Sequence, residues 1–206
     1  MRRFATFVAL GLLAAACTAS SEQDTTDPEA SPSSSVAPTT TTSTTTSTLP
    51  TFVAGAAGIG DDYYTSLGNG GYDVEHYHLD ITYADDGTVD ASVAITATAT
   101  DNLESFNLDF TGWQIERLAV NGDTSEYERV GEELVVAPVE ILAGDTFEVE
   151  MDYSGTPAPF TSSAIPFGIG WHTGPDGEQF VAAEPDAAHS WFPSNDHPLD
   201  KSTFTF

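Results

Sequence analysis

Apolar and polar residues alternate with a period of two along much of the chain after residue 70. In Tyr77-His78-Leu79-Asp80-Ile81-Thr82-Tyr83 the odd positions are apolar and the even ones polar. That spacing suits a strand with one face in a core and one in water. Asp85-Asp86-Gly87 supplies a turn, and Val89, Ala91, Val93 and Ile95 resume the alternation, with Ala97 and Ala99 continuing a small-residue face. The two runs predict a hairpin. Strands are also expected over Leu103 to Phe110, Ile115 to Val120, Leu134 to Val136, Phe147 to Met151, Ile169 to His172 and Gln179 to Ala182. Asn121-Gly122 fits a type I′ turn, which needs positive φ at both central residues. Ser154 to Gly168 is rich in Pro, Gly and Ser and reads as a long surface loop. No window carries a helical period over a dozen residues. The pattern predicts an all-β fold: an antiparallel β-sandwich or saddle-like pair of sheets.

The first fifty residues do not share this pattern. Met1-Arg2-Arg3 precedes an apolar run from Phe4 to Ala16. The run is too short to span a bilayer, which takes roughly 20 residues, and reads as a secretory signal peptide. Cys17 follows Leu13-Ala14-Ala15-Ala16, a context that resembles the bacterial lipobox, although Ala14 stands where that motif prefers Leu. Lipidation at Cys17 is therefore expected, with ordinary cleavage after Ala16 as the other reading. Residues 39–48 are an unbroken run of Thr and Ser. Such a segment buries too little apolar surface to offset its ordering entropy and should be a disordered tether. The expected organisation is a leader over 1–17, a linker over 18–55 and a β domain over 56–206.

Composition narrows the function. Five Lys and Arg stand against 32 Asp and Glu, for a net charge of −27. Nucleic-acid affinity comes from basic clusters that release counterions, so a nucleic-acid partner is excluded. Four acids precede residue 51 and three cations follow it, which leaves 32 − 4 = 28 acids against Arg117, Arg129 and Lys201 in the β domain. Most of these acids take alternate, outward positions and read as a solvated face. A single cysteine excludes a disulfide framework. Twelve Phe, seven Tyr and three Trp supply a core.

Catalytic signatures are scarce. There is no HExxH, no G-x-S-x-G and no phosphate-cradling loop; Gly68-Asn69-Gly70-Gly71 precedes a strand and reads as a turn. His76 and His78 share one strand face and read as exposed positions, although two imidazoles at that spacing suit a metal. His189, Asp196 and His197 form a looser group with metal-ligand chemistry but no regular spacing. Glu184 stands where a small-residue strand runs into an irregular aromatic stretch. A carboxylate leaving an apolar strand can be partly desolvated and available to a cationic ligand, although spacing alone favours a surface carboxylate before proline.

The stretch from Ala183 to Phe204 resembles the N-terminal domain of aminopeptidase N-type zinc metallopeptidases, which read close to T-Q-x-E-x-x-x-A-R-x-x-F-P-C-x-D-x-P-x-x-K-A-x-F. Phe192-Pro193, Asp196, Pro198, Lys201 and Phe204 fall in register. Tyr72 to Ile81 resembles the family's opening strand, Y-D-V-x-H-Y-x-L-x-L, and Leu103 to Phe110 its next strand region. The likeness covers roughly Asp62 to Phe206. It implies an all-β domain that packs on a thermolysin-like catalytic domain and helps roof its active site. It also implies that Glu184 contacts the free α-amino group of peptide substrates, with zinc bound by the catalytic domain rather than by this chain. The family's Gln is Ala182 here, its Arg falls at His189 and its Cys is Ser194. Asp196, Pro198 and Lys201 read as structural, with Lys201 paired to a carboxylate.

The resemblance thus implies the non-catalytic N-terminal domain of an exported, lipid-anchored zinc aminopeptidase. The chain is expected to be a fragment, inactive alone, whose catalytic domain is absent. The alternative is a stand-alone secreted β-sandwich lipoprotein that binds peptides or a protein partner. A small hydrolase built on His189, Asp196 and His197 is a third reading.

Overall fold

The computed structural model describes residues 49–161 and 165–206. The expected leader, Cys17 and the linker up to residue 48 lie outside the described residues. In chain order the strands are β1 (Val53–Ala54), β2 (Tyr72–Tyr83), β3 (Val89–Ala99), β4 (Leu103–Asp109), β5 (Gln114–Val120), β6 (Asp123–Thr124) and β7 (Tyr127–Val130). There follow β8 (Glu133–Val136), β9 (Thr146–Gly155), β10 (Pro159–Phe160), β11 (Ile169–Thr173), β12 (Gln179–Ala182) and β13 (Thr203–Thr205). A single 3₁₀ turn, Ala188–Ser190, is the helical element among the described residues. The fold is all-β, as the alternation requires.

Six strands form the larger sheet, in the order β13-β2-β3-β9-β5-β6. A second sheet runs β1-β4-β8-β7, and a third β10-β11-β12. The inward faces of the first two share one core, in which Val74, Leu79, Val93, Ile95, Phe106, Leu108, Leu134, Val149 and Met151 are buried. The β2–β3 hairpin forms in the expected register, with Tyr77 opposite Ile95 and Leu79 opposite Val93. An irregularity between Val74 and His76 moves the buried set of β2 from even to odd positions. Such a bulge inserts one residue and flips the following side chains. At Asn121-Gly122 both φ values are positive, 53° and 85°, and the turn joins β5 to β6 as its sequence demands.

Several expectations are corrected. Ser154 to Gly168 is not loop throughout: Ser154 and Gly155 end β9, and Pro159–Phe160 pairs with β11. Pairing is not all antiparallel, because the short strands β1 and β13 join β4 and β2 in parallel. Strand structure begins at Val53, ahead of residue 56. β7 carries no apolar alternation signal because all four of its residues are exposed on a sheet edge. Lys201 is exposed and makes no ion pair among the described residues, where Arg117 with Glu150 and Asp152 is the pairing of a Lys or Arg. A surface pair contributes about 0–1 kcal/mol, too little to fix a long side chain.

The non-core face of β4 is buried too, because segment 55–70 lies across it. Gly55 donates its N–H to the Ser105 carbonyl at 2.8 Å, and Asn107 Nδ2 donates to the Gly55 carbonyl at 3.1 Å. A Cβ on Gly55 would stand 3.1 Å from the backbone of Gly70, Ser105 and Phe106, so a side chain there would push that backbone apart. Asp109 is fully buried in this layer. Its Oδ2 accepts from the N–H of Gly68 at 3.2 Å, the Asn69 amide at 3.1 Å and the N–H of Asp196 at 2.8 Å. Across the ladder it faces Glu133.

Burial pushes the Asp109 carboxyl up to about 7; the Asp196 N–H opposes the rise and the nearby Glu133 and Asp196 charges add to it. Burial, opposed by Asn69, likewise lifts Glu133 to about 7. Both acids hold a proton more tightly folded than unfolded. Their contribution to stability is therefore complete near pH 4 and is lost as pH rises through about 7. Urea titrations of the wild type should show a fall on the order of 1–3 kcal/mol from pH 5 to pH 8. Asp109→Asn combined with Glu133→Gln should flatten that fall. Direct carbon-13 titration of the two carboxyls gives a check without substitution, and midpoints near 4 would refute the assignment.

Charge sets a second expectation. With 28 acids, most of them outside the core, against three cations after residue 50, like-charge repulsion opposes the compact state. Sodium chloride should raise the melting temperature by several degrees. Most of the gain should come below roughly 0.5 M, where the Debye length falls to roughly 4 Å. A salt-independent melting temperature contradicts this account.

Candidate functional site

The C-terminal segment that follows β12 is irregular, so its own backbone pairing cannot hold it. Core side chains hold it instead. Trp113 Nε1 donates to the Ser190 carbonyl at 2.8 Å, and the Tyr153 hydroxyl to that of Trp191 at 3.1 Å. Asn195 N–H donates to the Tyr77 hydroxyl at 2.9 Å. Asp109 and Ser194 exchange backbone hydrogen bonds at 2.8 and 3.0 Å. Phe192 sits edge-on to Tyr77, with ring centroids 5.4 Å apart. The aromatics that read as an irregular stretch are thus anchors.

This arrangement leaves a cleft of about 370 Å³ between the segment and β2. Its floor is aromatic: Tyr77, Phe192 and Phe204, with Tyr77 and Phe204 stacked at 5.0 Å. Its rim is polar, with Glu184, Asp200 and Tyr64. Glu184 is exposed. It is the surface carboxylate that spacing alone favours, and Val181 and Ala182 beside it are exposed as well. Tyr64 hangs from a turn in which Asp61 Oδ1 accepts the N–H groups of Tyr63 and Tyr64 at 2.7 and 2.8 Å. Its hydroxyl pKa is raised, by loss of water first and then by the neighbouring Tyr63 and the charges of Asp186, Asp61 and Glu184. Tyr64 also lines a second cleft of about 460 Å³ that contains Glu132 and His189.

The histidine group separates into distinct environments. His189 is buried, and its Nδ1 lies 2.7 Å from Asp196 Oδ2, which also accepts the His189 N–H at 3.1 Å. Burial works against the charged imidazole; the bond to and charge of Asp196, with Glu132 and Asp109 behind, outweigh it and raise the pKa. His189 Nε2 has no hydrogen-bond partner among the described residues, so the pair lacks a bonded nucleophile. His197 instead packs edge-on to Tyr64 at 5.7 Å and accepts the Leu199 N–H. On β2, His76 lies between Thr203 and Thr205 of β13, and His78 is exposed. Among the described residues no group of three or more His, Cys, Asp or Glu is placed to hold a metal ion.

Asp109, Glu133, Asn69, Tyr64 and Asn195 were not singled out as site residues by sequence reasoning. Asp109 left one trace, an acid between the apolar Leu108 and Phe110 in a strand. Gly68 left another: its φ is +72°, and a Cβ there would stand 2.5 Å from His197 Cβ. Only a glycine lets the strap reach both Asp109 and the C-terminal segment.

Comparison with known proteins finds likeness among solved structures. No protein-family model matches the chain, and no curated protein does. The crystal structure of an M1 zinc metallopeptidase from Deinococcus radiodurans superposes with a TM-score of 0.64 at 28% identity, covering 71% of this chain and 34% of that one. A mutant of that enzyme bound to a Tyr-Ser-Ala substrate matches with the same values. Legionella pneumophila aminopeptidase A, in complex with aspartic acid, shares the fold at 20% identity and a TM-score of 0.53, over 65% of this chain and 15% of its own. The chain therefore spans about a third of the length of the Deinococcus structures. Those enzymes are zinc enzymes by name, and the described residues here offer no set that fits the metal. In fold and in sequence, this chain is similar to the N-terminal β domain of aminopeptidase N-type M1 zinc metallopeptidases.

Proposed function

We propose that the chain is the non-catalytic, substrate-contacting part of an exported zinc aminopeptidase, in which Glu184 receives the free N-terminus of a peptide. The observation that carries this reading is the position of Glu184. It is exposed on the rim of a cleft with an aromatic floor, within a domain 28% identical to an enzyme crystallised with a tripeptide substrate. An α-amine has a pKa of about 7.7–8.0, so much of it is ammonium at neutral pH. An accessible carboxylate holds ammonium by a charge-assisted hydrogen bond, which an internal peptide bond cannot offer. The packing partner is a zinc-bearing catalytic domain, which would cover the rim and exclude water from Glu184. The metal would polarise the scissile carbonyl and activate water there. The basic and apolar leader, Cys17 and the Thr/Ser-rich stretch support export, with Cys17 as a lipid anchor and the stretch as spacer.

In the enzyme joined to its catalytic domain, Glu184→Gln should lower kcat/KM on peptides with a free N-terminus about 10- to 100-fold, mostly through KM. Wild-type KM should rise as pH passes about 8 and the amine loses its proton. The variant should lose that dependence. An unchanged KM with an unchanged pH profile would remove Glu184 from the site.

A further inference from the structure

β12 is the terminal strand of its sheet, in the order β10-β11-β12, so one side of its backbone has no strand partner. Such an edge presents alternate N–H and C=O groups to any extended chain. The edge strands β6 and β7 carry Asp123, and Glu128 with Arg129, charges of the kind that deter strand addition. β12, Gln179-Phe180-Val181-Ala182, carries none, and its Phe180 and Val181 are 50% and 39% exposed.

The edge is also held rigid. Gln179 Oε1 accepts from Trp171 Nε1 at 2.8 Å and from the Thr173 hydroxyl at 2.9 Å, and its Nε2 donates to the Tyr83 hydroxyl at 3.0 Å. Phe180 stacks on His172, with centroids 5.1 Å apart and planes within 7°. A template already ordered loses little entropy on binding. The edge strand β13 is also uncharged, but two of its three residues are Thr, and their hydroxyls bond to His76 and to the Glu75 carbonyl of β2.

Direction then follows from Glu184, two residues beyond the end of β12. A peptide laid antiparallel to β12 has its N-terminus beside Ala182 and its ammonium next to Glu184. A parallel peptide puts the ammonium at Gln179, beside Glu178. That carboxylate is turned into its own loop and accepts the Asp176 N–H at 3.1 Å, whereas no hydrogen bond among the described residues occupies Glu184. The geometry points to β12 as a strand-addition site for an extended peptide with a free N-terminus, bound antiparallel with its ammonium at Glu184. This rests on the reading of Glu184 as the ammonium contact and adds to it a backbone-reading edge that takes any side-chain sequence at alternate positions.

The test uses the 206-residue chain and an Ala/Val-rich hexapeptide with a free N-terminus and a C-terminal fluorophore, read by anisotropy. Single N-methyl groups placed at successive peptide positions should weaken binding about five- to tenfold at every second position, and within twofold at those between. N-acetylation should weaken binding to the wild type by about tenfold and leave binding to Glu184→Gln unchanged. Amide resonances of residues 179–184 should shift on titration. An N-acetyl effect without the alternating N-methyl effect overturns strand addition and leaves the Glu184 reading standing. Alternation without an N-acetyl effect overturns the ammonium contact and the bound direction. Shifts confined to β13 or β7, or no binding at millimolar peptide, overturn the inference.

Discussion

The buried Asp109 carboxyl is the tie on which the irregular parts of this domain depend. Two sheets sharing an apolar core assemble by hydrophobic burial alone, but segment 55–70 and the segment after β12 have few apolar residues facing that core. Both reach one oxygen, Asp109 Oδ2, through the backbone N–H groups of Gly68 and Asp196 and the side-chain amide of Asn69. Leaving those N–H groups unpaired in a buried layer would cost about 1–3 kcal/mol each. The same burial pushes the carboxyl and its ladder neighbour Glu133 into the neutral range. A structural tie that titrates near physiological pH is a consequence of using an acid to satisfy backbone donors away from water.

Charge and aromaticity divide the work on the outside. Acids fill the solvent faces of the large sheet, where water screens them, and the aromatics gather where the C-terminal segment crosses β2. Tyr77, Phe192 and Phe204 form both the anchor of that segment and the floor of the cleft below Glu184. The residues that hold the site in place are therefore those that shape it.

Glu184 gains its meaning from what precedes and follows it. An ordered strand ends two residues before it, and a segment pinned at Ser190, Trp191 and Asn195 begins soon after. The backbone that carries Glu184 is thereby held between two fixed points, while its exposed carboxylate has no hydrogen bond among the described residues. That suits a group whose partner arrives with the ligand, since no internal donor has to be displaced.

The sequence by itself determined the all-β class, the β2–β3 hairpin, the turn at Asn121-Gly122 and most long strands. Each rests on period-two burial or on the φ demands of one dipeptide, which are local. It also marked Glu184 and the run from Phe192 to Phe204, through likeness to known motifs. Only the tertiary structure decided the rest. The bulge in β2, the parallel pairing of β1 and β13, and the strand at Pro159–Phe160 depend on partners far along the chain. Asp109 stayed hidden because alternation assigns β4 one buried face, whereas segment 55–70 buries the other. The bond from His189 to Asp196, and the separation of His197 from it, follow from where that strap and the C-terminal segment meet, 126 residues apart at Asn69 and Asn195.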